Sequence, residues 1–252
     1  MELRFNILND YIDYFIVCES KYDHQGRKKK INFNIHKYPK FKKKIIHIVL
    51  KKFPKNLNTW ERQAFQRENI FNGLKKANNE DLILFSDPGE IPNPFVIKKI
   101  NIEKKYIIFL QNLFYYKLNL KDIKLGKNWE GTRCCLKKNL KSIDFMRQKV
   151  VKKNLKYGFW RLYKERDIQI IKNGGWHFSY LLTPKEIQKK ITTFAHTELN
   201  NKKYTSLKNI HYCIKNHKDL FHRNVIYKKI KIDNSFPEFI RKNIKKDSYW
   251  IA

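Results

Sequence analysis

Three short runs dense in Ile, Val, Leu and Phe constrain the fold most: "YFIVCE" at 14–19, "KIIHIVL" at 44–50 and "DLILFSD" at 81–87. Strands buried on both faces of a sheet have this composition. Between the second and third lies "TWERQAFQRENIFNGLKKAN" at 59–78, with Trp60, Ala64, Phe71 and Leu74 at helical spacing and Asn72-Gly73 near its end. Strand, helix and strand in this order predict right-handed parallel crossovers in an open α/β sheet, a Rossmann-like layout.

The second half is less regular. "YIIFLQNLFYYKL" at 106–118 reads as a long strand or hairpin arm, and "IQIIKNGGWHFSYLL" at 168–182 as two short strands around Gly174-Gly175. "TPKE" at 183–186 predicts a helix start, with Thr183 as N-cap, Pro184 in the first turn and Glu186 closing a capping box. "SFPEFIRKNI" at 235–244 repeats that grammar with Ser235, Pro237 and Glu238. With no internal repeat and no Gly/Ser tract, the chain is expected to form a single domain over residues 1–252.

The formal net charge is +32. That charge favours nucleic acid or an acidic surface as a partner. Against this, 45 of the basic residues are Lys and only 10 are Arg, and Asn and Ile are abundant too. All three residue types have A/T-rich codons, so the charge also reads as genomic bias spread over solvated faces. Arginine would be the better tool for bidentate phosphate and base contacts. Cys18, Cys134, Cys135 and Cys213 show neither CxxC nor zinc-ligand spacing, which points to a reducing compartment. No stretch approaches the roughly 20 apolar residues of a membrane span, and the N-terminus lacks a signal peptide's layout. A soluble cytoplasmic protein is expected.

Three features could carry chemistry. Asp87 ends a strand and Glu90 follows across a Pro-Gly turn, in the position where open α/β sheets bind ligands. Such a pair suits Mg²⁺ or Mn²⁺ bridging to a substrate phosphate, or it merely caps the segment that follows. Arg67 falls on the apolar face of the 59–78 helix, so it needs an anionic partner: a core carboxylate such as Glu19, or the Asp87 cluster and a phosphate. In "GGWHFSYL" at 174–181, Trp176 offers a stacking face and His177 a metal or phosphate ligand, unless the histidine is simply part of the core.

Taken together, "ELRFNILNDYIDYFIVCESKYDHQGRKKK" (2–30), "WERQAFQRENIFNGL" (60–74), "LILFSDPGEIPNP" (82–94) and "GGWHFSYL" (174–181) resemble glycosyltransferase family 17. This is the family of the β-1,4-mannosyl-glycoprotein N-acetylglucosaminyltransferase. The resemblance implies a GT-A-like nucleotide-diphospho-sugar transferase fold with a mixed, mostly parallel central sheet flanked by helices. It implies inverting transfer from a UDP-sugar, UDP-GlcNAc foremost, to a glycan, lipid-linked or polysaccharide acceptor, with Mn²⁺ or Mg²⁺ as cofactor. Position by position, Asp87, Glu90 and His177 would be metal or diphosphate ligands. Glu19, Ser20, Arg62, Gln66, Arg67 and Trp176 would meet the donor or brace the acidic loop. For the base that inversion requires, Glu130 in "NWEGT" is the candidate.

Two departures stand out. Gly89 replaces the second acid of the family's acidic motif, so Gly89→Asp is expected to strengthen metal binding. The chain also begins at "MELRFNIL", without the family's first N-terminal strand. A catalytically impaired, binding-only member is therefore one alternative, and a basic nucleic-acid-binding protein another. For a family member no nucleic acid is expected, and the Lys runs "RKKK" (27–30) and "KFKKK" (40–44) would allow peripheral contact with anionic surfaces.

Overall fold

The computed structural model describes residues 1–124, 128–158, 160–246 and 248–252. Helix α1 (Glu2–Leu8) buries Phe5, Ile7 and Leu8. Strands β1 (Phe15–Ser20) and β2 (Ile45–Leu50) pair in parallel, Phe15 opposite Ile45 and Ser20 opposite Leu50, as a sheet of their own. Helix α2 (Thr59–Glu68) starts on a capping box: the Asn58 side chain accepts from the Trp60 and Glu61 amides, and Glu61 accepts from the Asn58 amide. It runs on as 3₁₀ turns over Asn69–Gly73. A Cβ on Gly73 would lie 2.6 Å from Ile16 Cγ2, so only glycine lets this end press against β1.

The rest of the chain builds a larger sheet. Its strands are β3 (Leu82–Phe85), β4 (Glu90–Pro92), β5 (Tyr106–Tyr115), β6 (Leu120–Asp122), β7 (Trp129–Leu136), β8 (Ile168–Ile171), β9 (Gly175–Ser179) and β10 (Tyr227–Lys229). Helix α3 (Ile143–Gln148) lies between β7 and β8, α4 (Pro184–Thr193), α5 (Lys202–Thr205) and α6 (Leu207–Lys215) between β9 and β10, and α7 (Glu238–Lys242) after β10.

Strand β5 is the hub. Its first half pairs with β7 on one side and β8 on the other, and its second half with β6 and β9. Every β5 residue except Asn112 is buried, which requires cover on both faces. Ile143, Met146 and Val150 pack on Tyr106, Ile108 and Leu110, while Phe5, Phe236 and Ile240 join Phe114 and Phe178 in a second cluster. In a third, Ile187 and Ile191 of α4 meet Ile210 of α6 and Leu113 of β5.

The expected strands are present, and the segment at 59–78 is α-helical over Thr59–Glu68 and 3₁₀ to Gly73 but not beyond, while the sheet is not mostly parallel. Only β1–β2, β5–β8 and β5–β9 are parallel among the described residues. β3 joins β7 in antiparallel fashion instead of extending β1–β2, because β5, β6 and β7 follow one another through short connections and antiparallel pairs need no crossover. The observed fold is a mixed α/β sheet flanked by helices. α4 begins as expected, with Thr183 and Glu186 forming the capping box. α7 does not: Pro237 is its N-cap and Ser235 makes no capping bond, its amide instead donating to Asp233 Oδ1. Trp60 lies half exposed against His196 at 4.6 Å rather than in the core. All four cysteines are free thiols. Among the described residues, no helix is long and apolar enough to cross a membrane.

Candidate active site

The chain leaves β3 through Ser86 and Asp87 and turns at Pro88-Gly89, where the Glu90 amide donates to the Asp87 carbonyl at 2.9 Å. Glu90 then starts β4, directly opposite His177 of β9. Glu90 is completely buried. A buried carboxylate is tolerated only with its oxygens satisfied. Glu90 Oε1 accepts from Trp129 Nε1 at 2.8 Å and Arg147 Nη2 at 2.9 Å, and Oε2 accepts from the Asp87 amide at 3.0 Å.

Asp87 shares the same guanidinium. Arg147 Nη2 is 2.9 Å from Asp87 Oδ2, and Arg67 Nη2 is 3.4 Å from Asp87 Oδ1. Arg4 of α1 ties the turn's backbone, with Nη2 donating to the Asp87 and Glu90 carbonyls at 2.6 Å each. Burial works to raise the Asp87 carboxyl, yet Arg147 and Arg67 outweigh it and hold the group below its ordinary value. For Glu90 burial wins and the pKa is raised. Burial also pushes the His177 imidazole down to about 3, so it is neutral. Its buried Nδ1 has no hydrogen-bond partner among the described residues, and its ring lies 4.9 Å from that of Trp129.

The end of α2 sets Arg147 in place. Glu68 accepts from Ser142 Oγ at 2.6 Å and from the Asp144 amide at 2.7 Å, so it caps the start of α3 from a neighbouring helix. Next to it, Arg67 Nη1 reaches Asp144 Oδ1 at 3.1 Å. At the far end of α3, Arg147 Nη1 donates to the carbonyls of Glu130 and Gly131 at 2.9 and 3.0 Å.

The structure thus brings Arg67, Asp87, Glu90 and His177 together, with Glu130 at the edge. Glu130 Oε2 accepts from the Lys152 amide at 2.9 Å and from Arg133 Nη2 at 3.3 Å. The other sequence candidates lie elsewhere. Glu19 organises the loop after β1, accepting from Lys29 Nζ at 2.5 Å and from the Asn32 and Phe33 amides at 2.9 and 2.8 Å. Ser20 is buried and accepts from the Tyr22 amide. Arg62 Nη1 donates to the His24 carbonyl and Gln66 Nε2 to the Cys18 carbonyl, both bracing that loop and strand. Trp176 offers no stacking face: it is a core residue whose Nε1 donates to the Ser235 carbonyl, because it sits opposite Ile91 in the β4–β9 pair.

Arg4, Glu68, Trp129, Asp144 and Arg147 were not legible as site residues. A signal existed in the scarcity of arginine: of ten, Arg4, Arg67, Arg133 and Arg147 converge here, where a guanidinium can satisfy several acceptors at once.

All four carboxylate oxygens of Asp87 and Glu90 are engaged by Arg67, Arg147, Trp129 or a backbone amide. A hard divalent cation needs about six oxygen ligands, most of them free to turn toward it. Among the described residues, no group of three or more His, Cys, Asp or Glu is arranged to hold a metal ion. The residues as arranged do not fit one. Gly89 has no room for the missing acid either, since a Cβ there would lie 2.6 Å from the Phe178 carbonyl oxygen and 2.9 Å from the His177 ring.

A cleft of about 600 Å³ opens beside the turn, lined by Arg4, Pro88, Gly89, Tyr180, Lys190 and Trp250 among others. Lys190 Nζ sits 4.1 Å above the Tyr180 ring, so charge and aromatic surface face the same space.

Residues 1–121 match glycosyltransferase family 17. This match, over just under half of the chain, supports membership of that family. No curated protein and no solved structure matched it. The family 17 match runs from α1 to β6 and contains Arg4, Arg67, Asp87 and Glu90, whereas Trp129, Glu130, Arg147, His177 and Lys190 come from beyond it. The family 17 match supports a glycosyl-transfer activity, which takes a sugar donor and an acceptor as substrates.

Proposed function

We propose that the chain transfers a sugar, N-acetylglucosamine in the first instance, from a UDP-sugar to a hydroxyl of a glycan or polysaccharide, with inversion at the anomeric carbon. The observation that carries this reading is that the family match includes the Asp87–Glu90 turn and that this turn borders the charged, aromatic cleft. Sugar rings stack well on aromatic faces, and the half-buried Trp250 in the cleft lining supplies one.

In a single displacement the acceptor hydroxyl attacks the anomeric carbon as UDP departs with the bonding electrons. Negative charge then grows on the β-phosphate, and Arg4, Lys190 and Lys246 are the cations facing the cleft where it would develop. The acceptor proton goes to a carboxylate, for which Glu130 is proposed: its side chain is 31% exposed, whereas Glu90 is sealed. Arg67 and Arg147 keep Asp87 ionised and hold the turn in one geometry. The test is UDP release from a panel of UDP-sugars in the presence of oligosaccharide acceptors, together with thermal stabilisation by each donor. UDP-GlcNAc is expected to stabilise the protein and to be consumed only with acceptor. Neither effect from any UDP-sugar would overturn the reading.

A further inference from the structure

One nitrogen, Arg147 Nη2, lies 2.9 Å from Asp87 Oδ2 and 2.9 Å from Glu90 Oε1. A single positive group therefore sits between two carboxylates brought together by a four-residue turn, which is the position a divalent ion would need in order to touch both. We infer that Arg147 is the resident cation of this site: it fills the space between Asp87 and Glu90, the chain binds no divalent metal there, and glycosyl transfer proceeds without one. The last clause rests on the function proposed above; the first two do not.

Four features hold the guanidinium there. Its second nitrogen, Nη1, is fastened to the Glu130 and Gly131 carbonyls, so an incoming ion would have to break contacts on both sides of the group. The helix that carries it is anchored by Glu68 on Ser142 and the Asp144 amide. The remaining Asp87 oxygen is engaged by Arg67, and the remaining Glu90 oxygen by the Asp87 amide. No third acid can enter from the turn, because Gly89 packs on the Phe178 carbonyl with no room for a side chain. An arginine suits this place better than a lysine: its planar fork serves carboxylates and carbonyls together and stays charged when buried. The choice is pointed in a chain with 45 lysines and ten arginines.

The test is a direct titration of the full chain with Mn²⁺, reading free Mn²⁺ by electron paramagnetic resonance and the melting temperature alongside. Wild type is expected to show no saturable site and no Mn²⁺-dependent rise in melting temperature at millimolar Mn²⁺. Arg147→Lys, which keeps a cation in place, is expected to behave the same way. Arg147→Ala is expected to gain a saturable Mn²⁺ site and to be stabilised by the ion, and Asp87→Asn in that background should remove both effects. A saturable wild-type site that Asp87→Asn abolishes would overturn the inference, as would a folded Arg147→Ala variant that fails to bind Mn²⁺. If Arg147→Ala does not fold, wild type and Arg147→Lys still decide it. UDP release, if present, should be unchanged by EDTA, and strict Mn²⁺ dependence would refute metal-free transfer. Absence of UDP release under every condition would count against the proposed function, while the Mn²⁺ titration would still decide the role of Arg147.

Discussion

Gly89 packs so tightly beneath Phe178 that a Cβ at position 89 would lie 2.6 Å from the Phe178 carbonyl oxygen, which is backbone and cannot swing away. The glycine's own carbonyl accepts from the Phe178 amide at 2.9 Å, so strand and turn are locked from both sides. Gly89→Asp should therefore destabilise the fold by about 1–3 kcal/mol through overpacking, with a further cost for the added buried acid. Urea unfolding measures the loss. Mn²⁺ affinity should not rise, contrary to what the broken acidic motif suggests when read as sequence alone.

Glu68 acts on the site through Arg147. Glu68→Ala removes the acceptor of Ser142 Oγ and of the Asp144 amide, and is expected to cost about 1–2 kcal/mol, the range of a lost helix cap. Freed from that anchor, α3 should carry Arg147 away from Asp87 and donor binding should weaken. A double-mutant cycle with Ser142→Ala is expected to give a coupling of about 0.5–2 kcal/mol, and strict additivity would contradict the linkage.

Acid sensitivity should arise partly far from the turn, at Glu19. Burial works to raise its carboxyl, but Lys29 and the Asn32 and Phe33 amides outweigh burial and lower the pKa from its ordinary 4.5. A depressed carboxyl gives stability that is complete above the unfolded value and is lost as pH falls from about 4.5 through the folded one. Glu19→Gln should lower stability at neutral pH and flatten the decline below that point, as read by urea unfolding across the acid range.

Lys190 offers the sharpest test of the cleft. Lys190→Met keeps the length of the side chain over Tyr180 but removes its charge. If Lys190 meets the donor phosphates, KM for UDP-GlcNAc should rise by roughly tenfold, about 1.4 kcal/mol, with thermal stability little changed. An equal loss of stability and of activity would mark the residue as merely structural.

Local signals carried most of what was legible in the sequence. The apolar runs at β1, β2 and β3, the long β5 and the Thr183–Glu186 capping box are all written within a few residues, and all are present. Strand pairing is not local. Nothing within "LILF" distinguishes a parallel place beside β2 from its actual antiparallel place beside Cys134 and Cys135 of β7, since a short apolar run suits either partner. The site followed the same divide. Asp87, Glu90, Arg67 and His177 stood out through oddities of type or spacing, and they do converge. Arg4, Trp129 and Arg147 sit 83, 42 and 60 residues from Asp87 in sequence and meet the Asp87–Glu90 turn only through the tertiary fold. Trp176 misled because two glycines beside it suggest a sharp turn that leaves the indole free to stack, whereas β9 lies between β4 and β5 and turns the indole into the core.

The central claim, sugar transfer at the cleft beside the Asp87–Glu90 turn, is tested most directly by coupled detection of UDP released from UDP-GlcNAc and other UDP-sugars with an oligosaccharide acceptor mixture. Wild-type protein is compared with Asp87→Asn and Lys190→Met. The account predicts acceptor-dependent UDP release by wild type that is severely reduced in Asp87→Asn and weakened in donor affinity in Lys190→Met. UDP release from no donor, or release that neither substitution alters, would contradict it.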